Sequence, residues 1–401
     1  MASGTYDIIT VGGGLGGAAL AFAVAAHGAR VLVLEREQHF RDRVRGEGMH
    51  AWGVPEARAL GIYERLRETC GVEVRWWDTY LRADRIDHRD FPATTPHHSP
   101  LFGFYHPEMQ EVLLTAATQA GAEVRRGASV REVKPGGVPS VVLEQEGRVE
   151  EAHARLVVGA DGRNSLVRTG AGFTVQHDPA WRMFAGVLLE NSPLSPDAWH
   201  EVLDPDSGQV VFLCPVGRGR VRAYFGYPKD AHRRFQGAAD LPRLVEESLR
   251  TGAAAEIYAE ARVIGPLATF DADDTWVEHP YRAGVVLIGD AAATTDPTIG
   301  QGMALTLRDA RVLRDHLLNH DDWDAAGHRY AEHHDQAYTV IHTVEGWLKD
   351  LLLATGPDAE ARRARALPLI GQDGSRMPDL FGLGPDVPIG ETVRRRFFGE
   401  E

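Results

Sequence analysis

The first thirty-five residues contain the pattern that most restricts what this chain can fold into. A short apolar run over residues 7–11 has the composition of a strand buried in a parallel sheet. Residues 15–27 are mostly alanine and leucine, which predicts a helix, and a second apolar run over residues 31–34 ends in an acid. A strand, a glycine-rich turn, a helix, a strand and an acid in this order predict a dinucleotide-binding unit.

The three glycines of the turn have the spacing G-x-G-x-x-G, and each has its own physical reason. Gly12 permits the tight turn, Gly14 lets the backbone approach a pyrophosphate, and Gly17 lets the helix pack close to the strand. The N–H groups of the first helical turn are free and face the phosphates. The acid, Glu35, can accept both hydroxyls of an adenosine ribose, which favours an unphosphorylated ribose and hence FAD or NAD.

Composition limits the partners of the chain. Its 401 residues suffice for about two or three domains with a large core. The net charge of −14 argues against nucleic acid or an anionic membrane as a main partner. The two cysteines, Cys70 and Cys214, form no disulfide framework and favour the cytoplasm. The apolar stretch after Gly17 is interrupted by His27 and Arg30, well short of a membrane span. We expect a cytoplasmic protein with small-molecule ligands, no metal site and no obligate protein partner.

A second segment repeats the arrangement of a buried strand that ends in glycine and acid. Residues 156–159 are apolar and lead into Asp161 and Gly162. This places a carboxylate at the carboxyl edge of a parallel sheet, where ligands bind. An Asp-Gly pair alone predicts no more than a turn.

A third segment, residues 284–303, contains another buried strand that ends at Gly289 and Asp290. A loop with Pro297 follows, and a helix begins near Gly300. The start of that helix offers free N–H groups and the positive end of a dipole to an anionic group.

The remaining periodicities predict further elements. The pattern predicts helices over residues 55–67, 105–121, 241–249, 303–318 and 323–353, and strands over residues 122–126, 130–133, 138–144, 152–158, 209–216 and 220–227. Residues 217–219 join the last two strands in a predicted hairpin, and residues 72–98 alternate as strands do. The charge-rich segment 41–47 is predicted to be a solvated loop, and the tail from Gly356 to be irregular.

In this order and at these separations, the three segments resemble the FAD-dependent group A monooxygenases, the para-hydroxybenzoate-hydroxylase-like family. The resemblance covers roughly residues 6–318. It implies an α/β fold: a Rossmann-like FAD-binding domain with an inserted mixed β-sheet substrate domain and C-terminal helices. The implied FAD domain is discontinuous, over residues 1–71, 100–172 and 267–318, with the substrate domain over 72–99 and 173–266 and a C-terminal helix and irregular tail over 319–401.

The resemblance also implies roles for particular residues. Asp290 would bind the ribitol, Asp161 and Gly162 would serve both FAD and the nicotinamide cofactor, and Arg45 would lie near the path along which the flavin swings. Gly300 to Met303 would present N–H groups to the flavin N1/O2 edge, where negative charge collects on reduction. The implied cofactor-binding residues are Gly12, Gly14, Leu15, Gly17, Glu35, Arg36, Arg45, His106, Val130, Asp161, Gly162, Gly289, Asp290, Pro297, Gly300, Gln301, Gly302 and Met303, with Arg45 and Pro297 as the catalytic residues.

Three positions depart from the family pattern. His106 stands where the family has the arginine of R-x-x-L, although it can still donate to FAD. Ala293 replaces the histidine of G-D-A-A-H. Leu213 and Pro215 stand where aromatic-acid hydroxylases carry the serine and arginine that hold a substrate carboxylate. The last departure favours a larger and more apolar substrate.

Alternation in the predicted hairpin gives a prediction for the substrate pocket. Val221, Ala223 and Phe225 share one strand face, and Leu213 shares the matching face of the other strand. Because water must be excluded from the flavin, these four apolar residues are predicted to line the substrate side. The alternative is that this face packs against a helix as ordinary core.

Three functions are consistent with the sequence. The first is a monooxygenase in which NAD(P)H reduces FAD and O2 forms a C4a-hydroperoxide that hydroxylates or epoxidises an electron-rich aromatic or polycyclic substrate. The second is a related flavoenzyme that does not oxygenate, such as a prenyl-chain reductase or a flavin-dependent halogenase, although the sequence lacks W-x-W-x-I-P. The third is a catalytically silent dinucleotide-binding protein. His50, His106 and His200 are general-base candidates only because imidazole titrates near neutral pH.

Overall fold

The structure, a computed structural model, describes residues 6–401. Its strands are β1 (Tyr6–Val11), β2 (Val31–Glu35), β3 (Gly48–Met49), β4 (Gly71–Val74), β5 (Trp76–Leu81), β6 (Asp84–Asp90), β7 (Leu101–Phe104), β8 (Glu123–Arg126), β9 (Ser129–Lys134), β10 (Ser140–Gln145), β11 (Arg148–Gly159), β12 (Gln176–His177), β13 (Arg182–Glu190), β14 (Ala198–Asp204), β15 (Gln209–Pro215), β16 (Arg220–Pro228), β17 (Arg262–Val263), β18 (Ala268–Ala272), β19 (Thr275–Trp276), β20 (Tyr281–Arg282), β21 (Val285–Leu287) and β22 (Ala293–Thr294).

Its α-helices are α1 (Leu15–Ala25), α2 (Gly53–Ala59), α3 (Tyr63–Thr69), α4 (Phe91–Thr94), α5 (His106–Gln119), α6 (Leu166–Gly170), α7 (Leu241–Thr251), α8 (Glu256–Ala259), α9 (Gly302–Asn319), α10 (Trp323–Leu352), α11 (Pro357–Gln372), α12 (Leu380–Leu383) and α13 (Glu391–Phe397). Short 3₁₀ turns cover Ala238–Asp240, Gly289–Ala291, Gly374–Arg376 and Gly384–Asp386.

The first sheet has the order β20-β21-β11-β1-β2-β8, and β10 and β9 extend it beside β11. β1 pairs in parallel with both β11 and β2, so its apolar residues are buried on both faces of the sheet. Val11 lies opposite Gly159, which lies opposite Leu287. The three glycine-and-acid segments therefore leave neighbouring strands at the same carboxyl edge, which confirms the α/β fold predicted from the sequence.

Helices α1, α5 and α9 cover one side of this sheet and share its largest core cluster. α1 and α9 approach closely, because a Cβ at Gly16 would lie only 2.7 Å from Cγ2 of Thr306. This contact places the first turns of both helices beside the same edge of the sheet.

The second sheet has the order β17-β13-β16-β15-β14-β5-β6, with β18 paired to β13. One face packs on α7 and α8 and forms a separate core cluster. The opposite face carries an aromatic cluster and faces the carboxyl edge of the first sheet. β18 belongs to this sheet, although it was predicted to lie in the first domain, whose third segment was placed from residue 267.

Two predicted elements are corrected by the structure. The helix predicted over residues 55–67 is two helices, α2 and α3, because Gly61 turns the chain between them with a φ of +74°. The tail predicted to be irregular is largely helical and forms α11, α12 and α13. α11 follows Gly356 and begins at Pro357, α13 follows Gly390, and Pro368 is accommodated inside α11. Phe397 of α13 is buried in the main core.

Within residues 6–401, none of the helices has the length and apolar character needed to cross a membrane.

Candidate active site

A single cavity of about 830 Å³ lies between the carboxyl edge of the first sheet and the aromatic face of the second. It brings together sixteen of the predicted cofactor residues: Gly12, Gly14, Leu15, Glu35, Arg36, Arg45, His106, Val130, Asp161, Gly162, Gly289, Asp290, Pro297, Gly300, Gly302 and Met303. Gly17 and Gln301 are not part of the lining.

The glycines of the first turn differ in what requires them. Gly12 has a φ of +102°, and a Cβ there would lie 2.3 Å from the carbonyl oxygen of Ala160. A Cβ at Gly17 would lie 2.1 Å from the carbonyl oxygen of Gly12, so this residue permits the close packing of helix on strand. A Cβ at Gly14 would meet no protein atom within 4 Å and would enter the cavity. The packing of the chain therefore does not explain Gly14, whereas a bound pyrophosphate would.

Two helices point their N-termini at this cavity. α1 begins after Gly14 and α9 after Gln301, and neither has a side-chain cap or an acid in its first turn. Their first N–H groups are therefore free to bind an anion. The Gln301 side chain turns away, accepting from Trp52 Nε1 at 2.8 Å and donating to the Ile299 carbonyl at 3.0 Å. Gln301 thus supports the loop before α9 instead of lining the cavity.

Glu35 lines the cavity and also braces the glycine turn. One of its carboxylate oxygens accepts from the backbone N–H of Gly13 at 2.8 Å, and the other accepts from the N–H of Glu37 at 2.8 Å. Each oxygen retains a second lone pair that can accept from a ribose hydroxyl.

Asp161 is committed to its own loop. Its carboxylate accepts from Ser165 Oγ at 2.5 Å and from the backbone N–H groups of Leu166 and Val167 at 2.7 and 3.2 Å. These bonds satisfy the N-terminus of α6. Gly162 follows with a φ of +82°, and a Cβ there would lie more than 4 Å from its non-neighbouring atoms within residues 6–401. Asp161 thus shapes the loop, while Gly162 leaves space beside it.

Asp290 is the free carboxylate of the site. Its side chain is exposed to the cavity and makes no side-chain hydrogen bond within residues 6–401. The surrounding protein raises the pKa of Asp290 by desolvation, and the guanidinium groups of Arg163, Arg45 and Arg168 partly offset this. The backbone before it is fixed, because the Gly289 N–H donates to an Asp309 carboxylate oxygen at 2.9 Å. A polar ligand group can therefore bind here without displacing a protein partner.

The loop that carries Pro297 is held by a buried acid, Asp296, which no sequence pattern singled out. Asp296 accepts from the backbone N–H of Thr298 at 2.8 Å and is fully buried. Lys349, which donates to Asp274 at 2.6 Å, lies 4.0 Å from the second Asp296 oxygen. Burial raises the pKa of Asp296, and Lys349 opposes the rise.

The charge-rich segment 41–47 is not simply the solvated loop that was predicted. Glu47 is fully buried and accepts from Arg222 Nε at 2.7 Å, and Arg222 also donates to Asp42 at 2.7 Å. The Tyr224 hydroxyl donates to the carbonyl of Arg45 at 2.5 Å. β16 of the second sheet thereby holds the loop and places Arg45 in the cavity wall.

His106 lies at the same junction. Its backbone N–H donates to the second Glu47 oxygen at 2.8 Å, and its ring lines the cavity. Desolvation and the nearby Arg45 guanidinium lower the pKa of His106 well below its ordinary value, so the ring is neutral. Its Nδ1 is enclosed and has no hydrogen-bond partner within residues 6–401.

The residues predicted to line the substrate side lie on the opposite face of their strands, and neighbours one position away face the cavity. Leu213, Val221, Ala223 and Phe225 belong to the core between the second sheet and α7 and α8, and none lines the cavity. The alternative, ordinary core packing, describes them correctly, because both faces of this sheet are apolar and alternation alone does not distinguish them. The residues that face the cavity from this side are His50, Trp77, Phe184, Trp199, Phe212, Cys214, Tyr224 and Phe270.

We call these eight residues the aromatic wall, and their aromatic rings are packed on one another. Trp77 stacks on His50 with ring centroids 5.4 Å apart, and contacts Trp199 edge-on at 5.6 Å. Phe184 stacks on Tyr224 at 5.2 Å. The aromatic alternation of residues 72–98 runs through Trp76 and Tyr80, so it did not indicate Trp77, and no sequence pattern indicated the pairing that brings β5 beside β14.

Cross-strand register also brings a carboxyl group next to the aromatic wall. Glu201 lies opposite Phe212 on β15, and the Trp77 indole N–H donates to it at 3.2 Å. Burial raises the pKa of Glu201 to about 7. A cluster with metal-ligand spacing, Asp178, Asp274 and His342, lies outside the cavity lining.

The sequence profile of a family described as an FAD binding domain matches residues 5–344. The chain belongs to this FAD binding domain family.

Relatives within the family include oxygenating and non-oxygenating enzymes. The rifampicin monooxygenase of Streptomyces venezuelae is 28% identical over 373 residues, which covers 89% of this chain and 74% of that protein. The digeranylgeranylglycerophospholipid reductase 2 of Methanopyrus kandleri is 28% identical over 345 residues and 80% of each chain. Flavin-dependent monooxygenases and hydroxylases recur among the relatives, and the chain is an oxidoreductase of this flavin-dependent class.

Solved structures share the fold at lower identity. The p-nitrophenol 4-monooxygenase of Pseudomonas putida superposes with a TM-score of 0.80 at 19% identity, over 96% of this chain and 99% of that one. The flavin-dependent brominase Bmp2 superposes with a TM-score of 0.75 at 15% identity, over 96% and 95% of the two chains.

The residues present fit FAD. The packing of the described residues gives no reason for Gly14, which lines the cavity, two uncapped helix N-termini face it, and the Asp290 carboxylate is open to it. Two separated anion-binding helix starts suit a ligand that has both a pyrophosphate and an isoalloxazine ring.

Proposed function

We propose that this protein is an FAD-dependent monooxygenase that takes electrons from NAD(P)H and transfers one oxygen atom of O2 to a largely apolar aromatic or polycyclic substrate, by hydroxylation or epoxidation. The observation that carries the proposal is one cavity with two unlike ends. One end has the glycine turn, the uncapped helices and Asp290, and the other is the aromatic wall, whose eight residues include no lysine or arginine.

FAD would be held by the first sheet. Gly14 and the first N–H groups of α1 would bind the pyrophosphate, Glu35 the adenosine ribose, and Asp290 the ribitol. Arg36, Val130 and the Asp161 loop would close the adenosine side. The presence of two sheets supports a division into an FAD domain and an inserted substrate domain. Bound FAD supplies the electron transfer and the activation of O2.

The chain's own residues would prepare that chemistry. The start of α9, from Gly302, would place N–H groups at the N1/O2 edge of the ring and stabilise negative charge there. Pro297 would lie against the ring, and Arg45 would add positive charge near Asp290. The packed aromatic wall would exclude water from the substrate and hold an apolar ring against the flavin.

The absence of a cation from the aromatic wall bears on the substrate. The Arg222 side chain lies on the same face, but its guanidinium is paired with the carboxylates of Glu47 and Asp42. A substrate carboxylate against the aromatic wall would therefore find no cation on that wall, which favours an uncharged ring system there. We infer on the same ground a role in secondary metabolism, and from the unpaired Cys70 and Cys214 a cytoplasmic location.

The test is oxygen transfer by the FAD-loaded protein. NADH or NADPH oxidation should be stimulated by apolar phenols or polycyclic aromatics, and mass spectrometry should find one ¹⁸O atom from ¹⁸O2 in the product. Substrate-stimulated NAD(P)H oxidation without incorporated oxygen would contradict the proposal, as would protein that does not retain FAD.

A second candidate, reduction of an unsaturated apolar chain, is favoured by the similarity to digeranylgeranylglycerophospholipid reductases. It predicts a product two hydrogen atoms heavier than the substrate, formed under anaerobic conditions. Oxygen incorporation and anaerobic reduction are thus opposite outcomes of one mass-spectrometric experiment.

A further inference from the structure

Three side chains with metal-ligand chemistry meet outside the cavity, where α10 packs on a small sheet of β12, β19 and β22. Asp178 follows β12, Asp274 precedes β19, and His342 lies on α10. Each offers one ligand atom within 4.8 Å of the ligand atoms of the other two. We call these residues the Asp-Asp-His group. They are far apart in the chain, so no sequence spacing indicated the group, and the expectation of no metal site was drawn without it.

The backbone holds the two aspartates side by side. β12 and β19 pair in antiparallel fashion, with His177 opposite Thr275. The pairing continues by one residue, because the Asp178 backbone N–H donates to the Asp274 carbonyl oxygen at 3.0 Å. The spacing of the two carboxylates is therefore set by the sheet and does not depend on an attraction between them.

The histidine of the group is held by aromatic packing. Tyr338 stacks on the His342 ring with centroids 5.5 Å apart, and Trp276 packs against it at 5.0 Å. His342 Nε2 lies 2.8 Å from a carboxylate oxygen of Asp178. Two ligand atoms that are each about 2.1 Å from a Zn²⁺ ion lie about 3.0–3.4 Å from one another. This pair therefore needs little movement to share an ion.

Asp274 is the buried member of the group, at 2% exposed. One of its oxygens accepts from Lys349 Nζ at 2.6 Å, and the other has no hydrogen-bond partner within residues 6–401. Ligating carboxylates are commonly oriented by a hydrogen bond of the kind that Lys349 supplies. Buried carboxylate oxygens are rarely left without a partner, and a cation shared with the other two residues of the group would satisfy this one.

Acidic side chains outnumber basic ones around the group. Glu345 on α10 is fully buried, is repelled by the Asp274 carboxylate, and has no hydrogen-bond partner for either oxygen within residues 6–401. Asp296 is also buried, with Lys349 at 4.0 Å and Arg182 as its second basic neighbour. With the two aspartates of the group, four carboxyl groups lie near two basic side chains. A divalent cation reduces this excess.

We propose that Asp178, Asp274 and His342 bind a divalent transition-metal ion, for which Zn²⁺ has the best-matched chemistry. One imidazole nitrogen and two carboxylates suit Zn²⁺, whereas Ca²⁺ and Mg²⁺ prefer ligands that are all oxygen. The Asp178 and His342 side chains are 47% and 30% exposed, so the ion can enter from solvent and water can complete its coordination.

The role that we assign to the ion is structural. It would join α10 to β12 and β19, and β19 pairs with β22, where Thr275 lies opposite Thr294. β22 ends two residues before Asp296, whose loop carries Pro297 into the cavity wall. The ion would thus stabilise the support of this loop, and the proposal does not depend on oxygen transfer.

The experiment is a Zn²⁺ titration of the FAD-loaded protein after treatment with EDTA and desalting, followed by isothermal titration calorimetry near neutral pH. We expect one Zn²⁺ per chain and affinity for Ca²⁺ that is weaker by about 100-fold or more. Zn²⁺ at about 100 times its Kd should raise the Tm by about 3–5 °C.

Two variants remove one ligand each. Asp178→Asn and His342→Gln change partly exposed side chains, so both should fold, and each should weaken Zn²⁺ binding by about tenfold or more. His316→Gln is the matched control. His316 forms a separate histidine pair with His333, with ring nitrogens 3.0 Å apart, and its substitution should leave Zn²⁺ binding unchanged.

Unmodified protein that does not bind Zn²⁺ would overturn the proposal. Binding that Asp178→Asn and His342→Gln leave unchanged, or that His316→Gln abolishes, would overturn it as well. A Tm that bound Zn²⁺ does not raise would overturn the structural role. If one ligand variant fails to fold, the other still decides. None of these measurements involves oxygen transfer, so failure here leaves the proposed monooxygenase function standing, and the ¹⁸O measurement tests that function separately.

Discussion

Within this site, residues of the same type have different roles. The three glycines of the first turn match one pattern, yet a Cβ would find open space only at Gly14, while Gly12 and Gly17 are required by the backbone around them. The acids divide in the same way. Asp161 satisfies the start of α6, and Asp290 remains free for a ligand.

The glycine difference gives the first prediction. Gly14→Val should abolish co-purification of FAD while leaving the fold intact, because the new side chain starts in cavity space and its Cβ lies more than 4 Å from the neighbouring protein atoms that the structure describes. Gly17→Val should instead prevent folding, since its Cβ alone would lie 2.1 Å from the Gly12 carbonyl oxygen. Flavin absorbance per protein and circular dichroism measure the two effects. A folded Gly14→Val variant with full flavin would refute the pyrophosphate assignment.

The second prediction concerns pH and Glu201. Burial raises its pKa from an ordinary 4.5 to about 7, so between these values the folded protein keeps a proton that the unfolded chain releases. The free energy of unfolding should therefore fall as pH rises from about 4.5 to 7. At higher pH this contribution of Glu201 should stay constant.

Glu201→Gln should remove this trend. The free energy of unfolding of the variant should exceed that of the unmodified protein by about 1–3 kcal/mol more at pH 8 than at pH 5. Both are measured by urea titration at fixed FAD concentration. Glu256→Gln, at an exposed position, is the control. A gain that is the same at both pH values would show that Glu201 does not hold a proton through this range.

Among the elements, the strands of the second sheet are the most informative, because alternate residues of β15 and β16 have opposite surroundings. Ala223 packs in the core beneath α7 and α8, while Tyr224 faces the cavity. Phe212 and Leu213 divide in the same way on β15.

The third prediction uses this alternation. Ala223→Trp should lower the free energy of unfolding by about 1–3 kcal/mol through overpacking, with flavin and substrate response retained in the folded fraction. Phe212→Ala, on the cavity face, should instead weaken binding of aromatic substrates while FAD remains bound. The two measurements are urea titration and ligand titration. The reverse pattern would restore the originally predicted substrate face.

How much of this structure can be predicted from the sequence depends on how far apart in the chain the interacting residues lie. The βαβ unit and the convergence of Gly12, Asp161 and Asp290 follow from local patterns, because parallel strands place their carboxyl ends at one edge. The aromatic wall depends on the pairing of β5 with β14. The residues around each strand do not indicate which strand it pairs with. Strand parity is also undetermined when both faces of a sheet are apolar, which is why Leu213 and Ala223 were assigned to the wrong side.

At the scale of the whole molecule, the cavity exists because two sheets are held together across it. The segment 41–47 leaves the first sheet and is attached to the second by Arg222 and Tyr224. The ion pair between Arg222 and Glu47 is fully buried, so its partners cannot be replaced by water.

The fourth prediction follows from this attachment. Arg222→Met should destabilise the protein by about 3–5 kcal/mol, because it leaves Glu47 buried without a countercharge, and should weaken FAD binding by releasing Arg45. Adding Glu47→Gln should recover part of the loss, since the amide is uncharged and can still accept from the His106 N–H. Thermal unfolding and flavin titration measure both effects.

The control for this prediction is Arg220→Met. Arg220 lies two residues earlier on the same strand, but its partner Glu108 is partly exposed to solvent. Its loss should cost no more than about 1 kcal/mol. Equal effects of the two substitutions would mean that the buried pair does not hold the sheets together.

The alternation of the second sheet also bears on how such an enzyme diversifies. Along β15 and β16, Leu213, Ala223 and Phe225 pack in the core beneath α7 and α8, while Phe212 and Cys214 face the cavity. Selection can therefore explore new substrates at Phe212 and Cys214 without changing that core, whereas Tyr224 also holds the loop through the Arg45 carbonyl. A directed-evolution library confined to Phe212 and Cys214 should keep most of its members folded, whereas a library of equal size at Leu213 and Ala223 should lose most of them.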